Sequence, residues 1–152
     1  VVTTRTFSKA YGLAALRIGW GYCPPHIAQV LNRLRGPFNV NALALVAAEA
    51  ALDDQAHIEN SRAHNAQWRD WLVQQLGGLG FSVRASQANF IVIEFASPEL
   101  AQGAETFMSQ GGIIPRDLRA YGLPHALRLS IGKEADNRAA VKLIADFLAE
   151  RG

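Results

Sequence analysis

Hydrophobic and polar positions alternate in two rhythms along the chain. Val1 to Thr4 is a β-branched run and predicts a buried strand; Ile18 to Cys23 predicts a second. Pro24 and Pro25 stop that strand and suit the first turn of a helix, in which Ile27, Val30, Leu31 and Leu34 recur at three- and four-residue spacing. Gly36 supplies its stop. A turn-rich segment, Gly36 to Asn41, leads to an alanine-rich helix over about Ala42 to Leu52, whose small residues predict close packing. Asp53-Asp54 breaks that pattern and can cap a helix from about Gln55 to Leu76. Ile58, Trp68, Leu72 and Leu76 share one face of it, and Gly77-Gly78 ends it.

Strand and helix then alternate again. Phe81 to Val83 predicts a short strand and Asn89 to Phe95 a dense apolar one. Ser97 with Pro98 reads as an N-cap followed by a first-turn proline. The helix they open carries Leu100, Ala104, Phe107 and Met108 and stops at Gly111-Gly112. Ile113-Ile114 predicts a brief strand and Leu127 to Ile131 another. Glu134 to Leu148 predicts the last helix, with Val141, Ile144, Phe147 and Leu148 inward. The fold class is therefore α/β: the ending of a doubly wound sheet, then a smaller α+β domain. A long helix after Asp53-Asp54 places the boundary there, giving residues 1–53 and 54–152.

Composition narrows the partners. Apolar residues make up 49% and charged residues 18% of 152, ordinary for a globular protein able to bury one core. The net charge is +2, with arginines scattered and no basic block, zinc spacing or interleaved aromatics, so nucleic acid is not an expected partner. No apolar run is long enough to cross a bilayer, and no membrane partner is expected. The opening residues lack the features of a secretion signal. Cys23 is the single cysteine, which excludes an internal disulfide, fits a reducing cytoplasm and suggests a small packing residue. His26, His57, His64 and His125 share no metal-like spacing, so no metal site is expected.

One stretch carries chemistry, Thr6 to Gly19. Lys9 stands among hydroxyls, small residues and apolar neighbours between two apparent strands, where desolvation would lower its pKa and arm it as an amine nucleophile. Thr6 and Ser8 bring hydroxyls, and Arg17 brings a bidentate fork; the set suits a phosphate dianion. A carbonyl beside a phosphate describes pyridoxal phosphate (PLP), which enzymes hold as a lysine Schiff base. The segment TFSKAYGLAA, residues 6 to 15, resembles the lysine signature of the class I/II, fold-type I, PLP-dependent aminotransferases, in the form typical of class II. Arg17-Ile18-Gly19 resembles the arginine extension shared with class I. The resemblance implies Lys9 as the catalytic residue, with Thr6, Ser8, Lys9 and Arg17 binding the cofactor. It also implies that residues 1–53 are the end of the large PLP-binding domain and 54–152 the small domain of an incomplete, C-terminal portion. Tyr11 fills the motif's aromatic slot.

Two further arginines belong to the second domain. Arg128 alternates with Leu127 and Leu129, so it projects from the opposite face, and an arginine on a central strand is costly unless it meets an anion. In the superfamily the equivalent arginine binds the substrate α-carboxylate. A buried salt bridge to a glutamate is the structural alternative. Residues 111–118, 35–41 and 120–124 resemble the histidinol-phosphate aminotransferase branch. That branch implies that Arg116 and Arg128 engage the substrate phosphate, and that Arg128 takes the glutamate α-carboxylate in the other half-reaction. For Arg116 the alternative is a solvated loop residue paired with Asp117.

The implied chemistry is ping-pong exchange of an amino group between an amine donor and a 2-oxo acid acceptor, both small molecules, in a cytoplasmic homodimer. Aromatic or broad-range aminotransferases and threonine-phosphate decarboxylase remain alternatives within the superfamily. A folded but inactive fragment is the alternative outside it: residues 1–53 would expose strand edges and apolar faces, and this chain alone is expected to bind PLP weakly.

Overall fold

The computed structural model describes residues 1–151. The chain divides into two compact units, Val1–Ala63 and His64–Gly152. Both units mix helix and strand.

In the first unit, β1 (Thr3–Thr6) and β2 (Gly19–Tyr22) form a two-stranded antiparallel ribbon. The register runs from Thr3 opposite Tyr22 to Thr6 opposite Gly19. The expectation of a buried strand at Val1–Thr4 fails. The strand lies two residues later and every residue of β2 is exposed. α1 (Pro25–Leu34) follows with a proline in its first turn, but none of its residues is buried. Its apolar stripe is present in the sequence, yet Leu34 is 76% exposed. α1 ends because Arg35 takes an extended conformation (φ −66°, ψ 142°), not because of Gly36.

α2 (Ala42–Asp53) starts on Asn41, whose side chain accepts a bond from the Ala44 N–H at 2.8 Å. Only Ala44 and Ala48 of α2 are buried, while Leu43 is 77% exposed. These two alanines close a small core with Phe7 and Ile18, flanked by Tyr11, Leu13, Leu16 and Val40. α3 (Gln55–Gly78) starts where predicted: Asp54 accepts the His57 N–H at 3.0 Å. It ends at Gly78, within the expected Gly77-Gly78 pair. The turn that follows puts Gly80 at φ +88°, a left-handed conformation that favours glycine, and returns the Phe81 N–H to the Leu76 carbonyl at 3.0 Å.

The second unit is built on a four-stranded antiparallel sheet in the order β3-β4-β6-β5: β3 (Ser82–Arg84), β4 (Phe90–Glu94), β5 (Arg116–Asp117) and β6 (Ala126–Ser130). α4 (Pro98–Gln110) and α5 (Glu134–Ala149) complete it. The Ser97 hydroxyl accepts the Leu100 N–H at 3.3 Å, the N-cap expected of Ser97-Pro98. Alternation sorts the sheet. Ile91, Ile93, Leu127 and Leu129 are buried with Ala104 and Met108 of α4, Ile144 and Phe147 of α5, and Leu72 and Leu76 of α3. Burying a side chain of this kind contributes about 1.5–3 kcal/mol, so this cluster is what holds the second unit together. Residues at the intervening positions of β4 and β6, among them Val92 and Arg128, use the other face.

Ile113-Ile114 is not a strand, and Ile114 is 83% exposed. The Ile113 N–H instead returns to the Met108 carbonyl at 2.9 Å over Gly112 (φ +84°), completing the C-terminal turn of α4. Pairing begins only at Arg116, which therefore lies within an edge strand and not beyond one.

Candidate cofactor and substrate sites

The lysine segment is the mouth of the β1–β2 ribbon. Phe7 and Ile18 are both buried, and the Phe7 N–H donates to the Ile18 carbonyl at 3.2 Å, one residue beyond the last register pair. Counting one more residue sets Ser8 opposite Arg17. Alternation turns Phe7 into the small core and leaves Thr6 and Ser8 on the outer face. Their hydroxyls meet there: Thr6 Oγ1 donates to Ser8 Oγ at 2.8 Å and accepts the Ser8 N–H at 3.0 Å. That arrangement leaves the Ser8 hydroxyl hydrogen free to donate outward.

Lys9 opens a tight turn, with the Gly12 N–H on its carbonyl at 2.8 Å and Gly12 at φ +71°. The turn is tied down from two sides. The Leu13 N–H donates to the Phe7 carbonyl at 2.9 Å, and the His57 ring nitrogen of α3 lies 3.1 Å from the Ala10 carbonyl. Tyr11 packs on Phe7 with ring centroids 4.7 Å apart. Lys9 itself is exposed, as are most residues of the flanking strands. The shielding expected from neighbouring buried strands is therefore not supplied by these strands.

Arg17 adopts a left-handed conformation (φ 55°, ψ 49°) and closes the short 3-10 turn Ala14–Leu16, its Nη1 donating to the Ala14 carbonyl at 2.7 Å. A non-glycine residue there costs about 1 kcal/mol, offset here by the Phe7–Ile18 anchor on either side. Next to it, a Cβ on Gly19 would fall 2.6 Å from the Arg5 carbonyl oxygen. The small residue at the end of Arg17-Ile18-Gly19 is thus required by how closely β1 passes. Two hydroxyls, an outward donor and a guanidinium at one ribbon mouth match the donor set of a phosphate monoester, and the adjacent exposed amine matches its aldehyde. Thr6, Ser8, Lys9 and Arg17 fit pyridoxal phosphate.

Arg116 and Arg128 come together in the second unit as register partners of β5 and β6. The Arg128 guanidinium lies 5.0 Å from the centre of the Phe90 ring, and its Nε is buried without a hydrogen-bond partner. No glutamate pairs with it among the described residues. Arg116 is exposed; its Nη2 donates to the Tyr121 hydroxyl at 3.0 Å, and its guanidinium sits 5.6 Å from that ring's centre. The expected alternative pairing with Asp117 does not occur. Asp117 instead accepts the backbone N–H of Arg119 at 2.8 Å and its Nε at 2.6 Å. Those two bonds, the backbone one foremost, hold the Asp117 carboxyl below its ordinary range, and the side-chain bond to Asp117 raises Arg119.

Sequence reasoning missed Phe90 and Tyr121 as partners of the two arginines, and His57 as a tether of the lysine turn. Phe90 had a signal: it is two residues from Val92, which faces Arg128, so it shares the arginine's side of the sheet. Tyr121 had none, because it reaches Arg116 through an irregular turn. The four histidines do not cluster, and no metal-binding group of side chains occurs among the described residues. Cys23 is half-buried and unpaired. No described helix is long and apolar enough to cross a membrane.

Comparison with known proteins places these features. The chain is 52% identical over 150 residues to a histidinol-phosphate aminotransferase of Dinoroseobacter shibae, covering 99% of this chain and 42% of that protein. It is 49% identical over 151 residues to one of Rhodopseudomonas palustris, covering 98% of this chain and 41% of that one. The chain thus spans less than half the length of these relatives. A crystal structure of histidinol-phosphate aminotransferase from Sinorhizobium meliloti in complex with pyridoxal-5'-phosphate superposes with a TM-score of 0.90 at 27% identity, over 100% of this chain and 42% of that one. The profile of the family described as aminotransferase class I and II matches residues 1–144, and the chain belongs to that family.

Proposed function

We propose that this chain is part of a PLP-dependent aminotransferase that moves an amino group from histidinol phosphate to 2-oxoglutarate. The observation that carries the reading is the pairing of Arg116 with Arg128 on adjacent strands, with a buried and unpartnered Nε on Arg128. Like charges placed directly across a sheet repel, and a buried guanidinium N–H without an acceptor is costly. Both costs are offset when a dianion lies between them. Relatives about 50% identical act on a phosphorylated amine, which presents such a group. In this reading residues 1–53 are the end of the large cofactor-binding domain and 54–152 the small domain, within a cytoplasmic homodimer.

Thr6, Ser8 and Arg17 hold the cofactor phosphate. Ser8 donates its free hydroxyl hydrogen, Thr6 orients Ser8, and Arg17 supplies charge from a backbone conformation that fixes where its side chain starts. Lys9 holds the cofactor covalently through its amine. Bound there, pyridoxal phosphate supplies an electron sink for the substrate's α-carbon. The Lys9 amine, when free, would be the group that carries a proton between the substrate's α-carbon and the cofactor's C4′. Arg116 and Arg128 grip the substrate phosphate in one half-reaction. Arg128 takes the glutamate α-carboxylate in the other, and its side-on Nε–Nη edge is suited to a carboxylate fork.

The test uses the full-length protein. Amino-group transfer from histidinol phosphate to 2-oxoglutarate is expected, with a borohydride-fixed cofactor adduct mapping to Lys9. Lys9→Ala should lose both the adduct and at least a thousandfold in kcat. Transfer from an aromatic amino acid but none from histidinol phosphate would move the assignment to another branch, and an adduct on a different lysine would remove the site.

A further inference from the structure

Arg116 sits on a two-residue edge strand and is exposed. A long side chain in that position samples many rotamers, and an anion must halt all of them. What limits that freedom here is a turn of the chain that plays no part in the chemistry proposed above. At the end of β5, Asp117 turns away from Arg116, since neighbours on a strand face opposite sides. Its carboxylate then accepts both the backbone N–H and the Nε of Arg119. That fastens the first residue of a 3-10 turn over Arg119–Tyr121.

The turn is closed at its far end as firmly. The Tyr121 N–H donates to the Leu118 carbonyl at 2.9 Å and the Gly122 N–H to the Arg119 carbonyl at 3.0 Å, with Gly122 left-handed at φ 75°. Leu118, buried beneath, anchors the loop. The outcome is that Tyr121 is carried back to Arg116 five residues earlier, with the hydroxyl 3.0 Å from Nη2 and the guanidinium 5.6 Å from the ring centre. Arg128 has a comparable aromatic neighbour in Phe90, but no hydroxyl meets it. The two arginines are therefore held differently: one by an aromatic ring alone, one by a ring and a hydrogen bond.

We propose that Tyr121 is a positioning residue for Arg116, fixing its guanidinium for the substrate phosphate, and that the Asp117–Arg119 clamp exists to hold the turn that presents Tyr121. The proposal rests on the reading of Arg116 as a substrate arginine. The Tyr121 hydroxyl accepts one N–H of Arg116 and thereby orients those that remain toward an anion.

The experiment is a double-mutant cycle in the full-length enzyme, with histidinol phosphate as the varied substrate. Tyr121→Phe keeps the ring and removes the hydroxyl. It should raise KM about tenfold while changing kcat much less, the size expected for one lost hydrogen bond to a charged group. In an Arg116→Ala background, the same change should have no further effect. Asp117→Asn should reproduce part of the rise, and Tyr121→Leu should exceed it. An equal effect of Tyr121→Phe with or without Arg116 would overturn the proposal, because the tyrosine would then act by another route. Unchanged KM in Tyr121→Phe beside a raised KM in Arg116→Ala would overturn it while leaving Arg116 a substrate residue. Unchanged KM in both would remove the substrate reading of Arg116 as well.

Discussion

Arg116 and Arg128 stand directly opposite one another across β5 and β6. Between two such strands, residues in register share a face with their Cβ atoms about 5 Å apart, and like charges there destabilise the pair. Neither is neutralised by a carboxylate among the described residues; Arg128 leans on Phe90 and Arg116 on Tyr121. The fold thus carries an unfavourable placement that a bound anion would relieve.

A trade between stability and function follows. Arg128→Leu removes a buried unsatisfied donor and the repulsion, and keeps an apolar body over Phe90. In the full-length protein it should leave the melting temperature unchanged or raise it by a few degrees. It should also lower kcat/KM for histidinol phosphate by a hundredfold or more. Inorganic phosphate should stabilise the parent protein against heat and stabilise the variant less. Thermal denaturation with and without phosphate measures both. A variant that melts well below the parent would show that Arg128 is a structural residue.

Gly19 tests the ribbon. Its position opposite Thr6 leaves no room for a side chain, since a Cβ would lie 2.6 Å from the Arg5 carbonyl oxygen. That neighbour is backbone and cannot swing aside. Gly19→Ala should therefore cost about 1–3 kcal/mol through forced separation of the strands. Because Ser8 and Arg17 flank the same ribbon mouth, cofactor retention should fall with it. Gly21 in the same strand, whose nearest neighbours lie 3.8 Å away or more, is the control: alanine there should be tolerated. Dialysis of both variants followed by cofactor quantitation checks the difference.

How much of this was legible in the residues depends on whether local chemistry or distant contact decides the geometry. Ser97-Pro98 announced its helix start because a cap needs only neighbours along the chain. The Arg128 alternation was legible for the same reason. The apolar stripe of α1 was equally visible, but burial depends on what packs against it, and within these residues it stays exposed. Ile113-Ile114 looked like a strand by composition. Gly112 bends the chain into the end of α4, and a left-handed glycine overrides β propensity. The partnership of Arg116 with Tyr121 was beyond reach because it depends on a five-residue loop with no period of its own.

Asn137 is the one buried polar side chain on α5, and it is fully used. Its Oδ1 accepts the Gly132 N–H at 2.9 Å and its Nδ2 donates to the Gly132 carbonyl at 3.0 Å. These bonds fix the exit of β6 four residues beyond Arg128. Asn137→Ala strands the Gly132 N–H and leaves the Gly132 carbonyl only the His64 ring nitrogen, 2.9 Å away, and should cost about 1–3 kcal/mol. Asn137→Asp should cost as much or more: it keeps the acceptor, but brings a charge into a buried site and loses the donor to the carbonyl. A chemical denaturation series of the two variants in the full-length protein tests the ordering.

The pH dependence of the second unit draws on carboxyls held low, Glu94 and Asp117 among them. Glu94 is lowered first by its hydrogen bond from Arg84, at 2.7 Å, with Ser82 assisting; Asp117 is lowered first by the Arg119 N–H. In the unfolded chain both return to their ordinary values, near 4.3 and 3.9. As pH falls through that range the unfolded state takes up protons before the folded one, so the stabilisation is present above it and disappears as the folded-state carboxyls protonate. Asp117→Asn should therefore lower the melting temperature more at pH 7 than at pH 3, where the parent has begun to lose the same interaction. Both groups are only half-buried, which keeps the effect modest and sensitive to salt. An equal penalty for Asp117→Asn at both pH values would mean that the side chain acts through shape and hydrogen-bond geometry alone, without its charge.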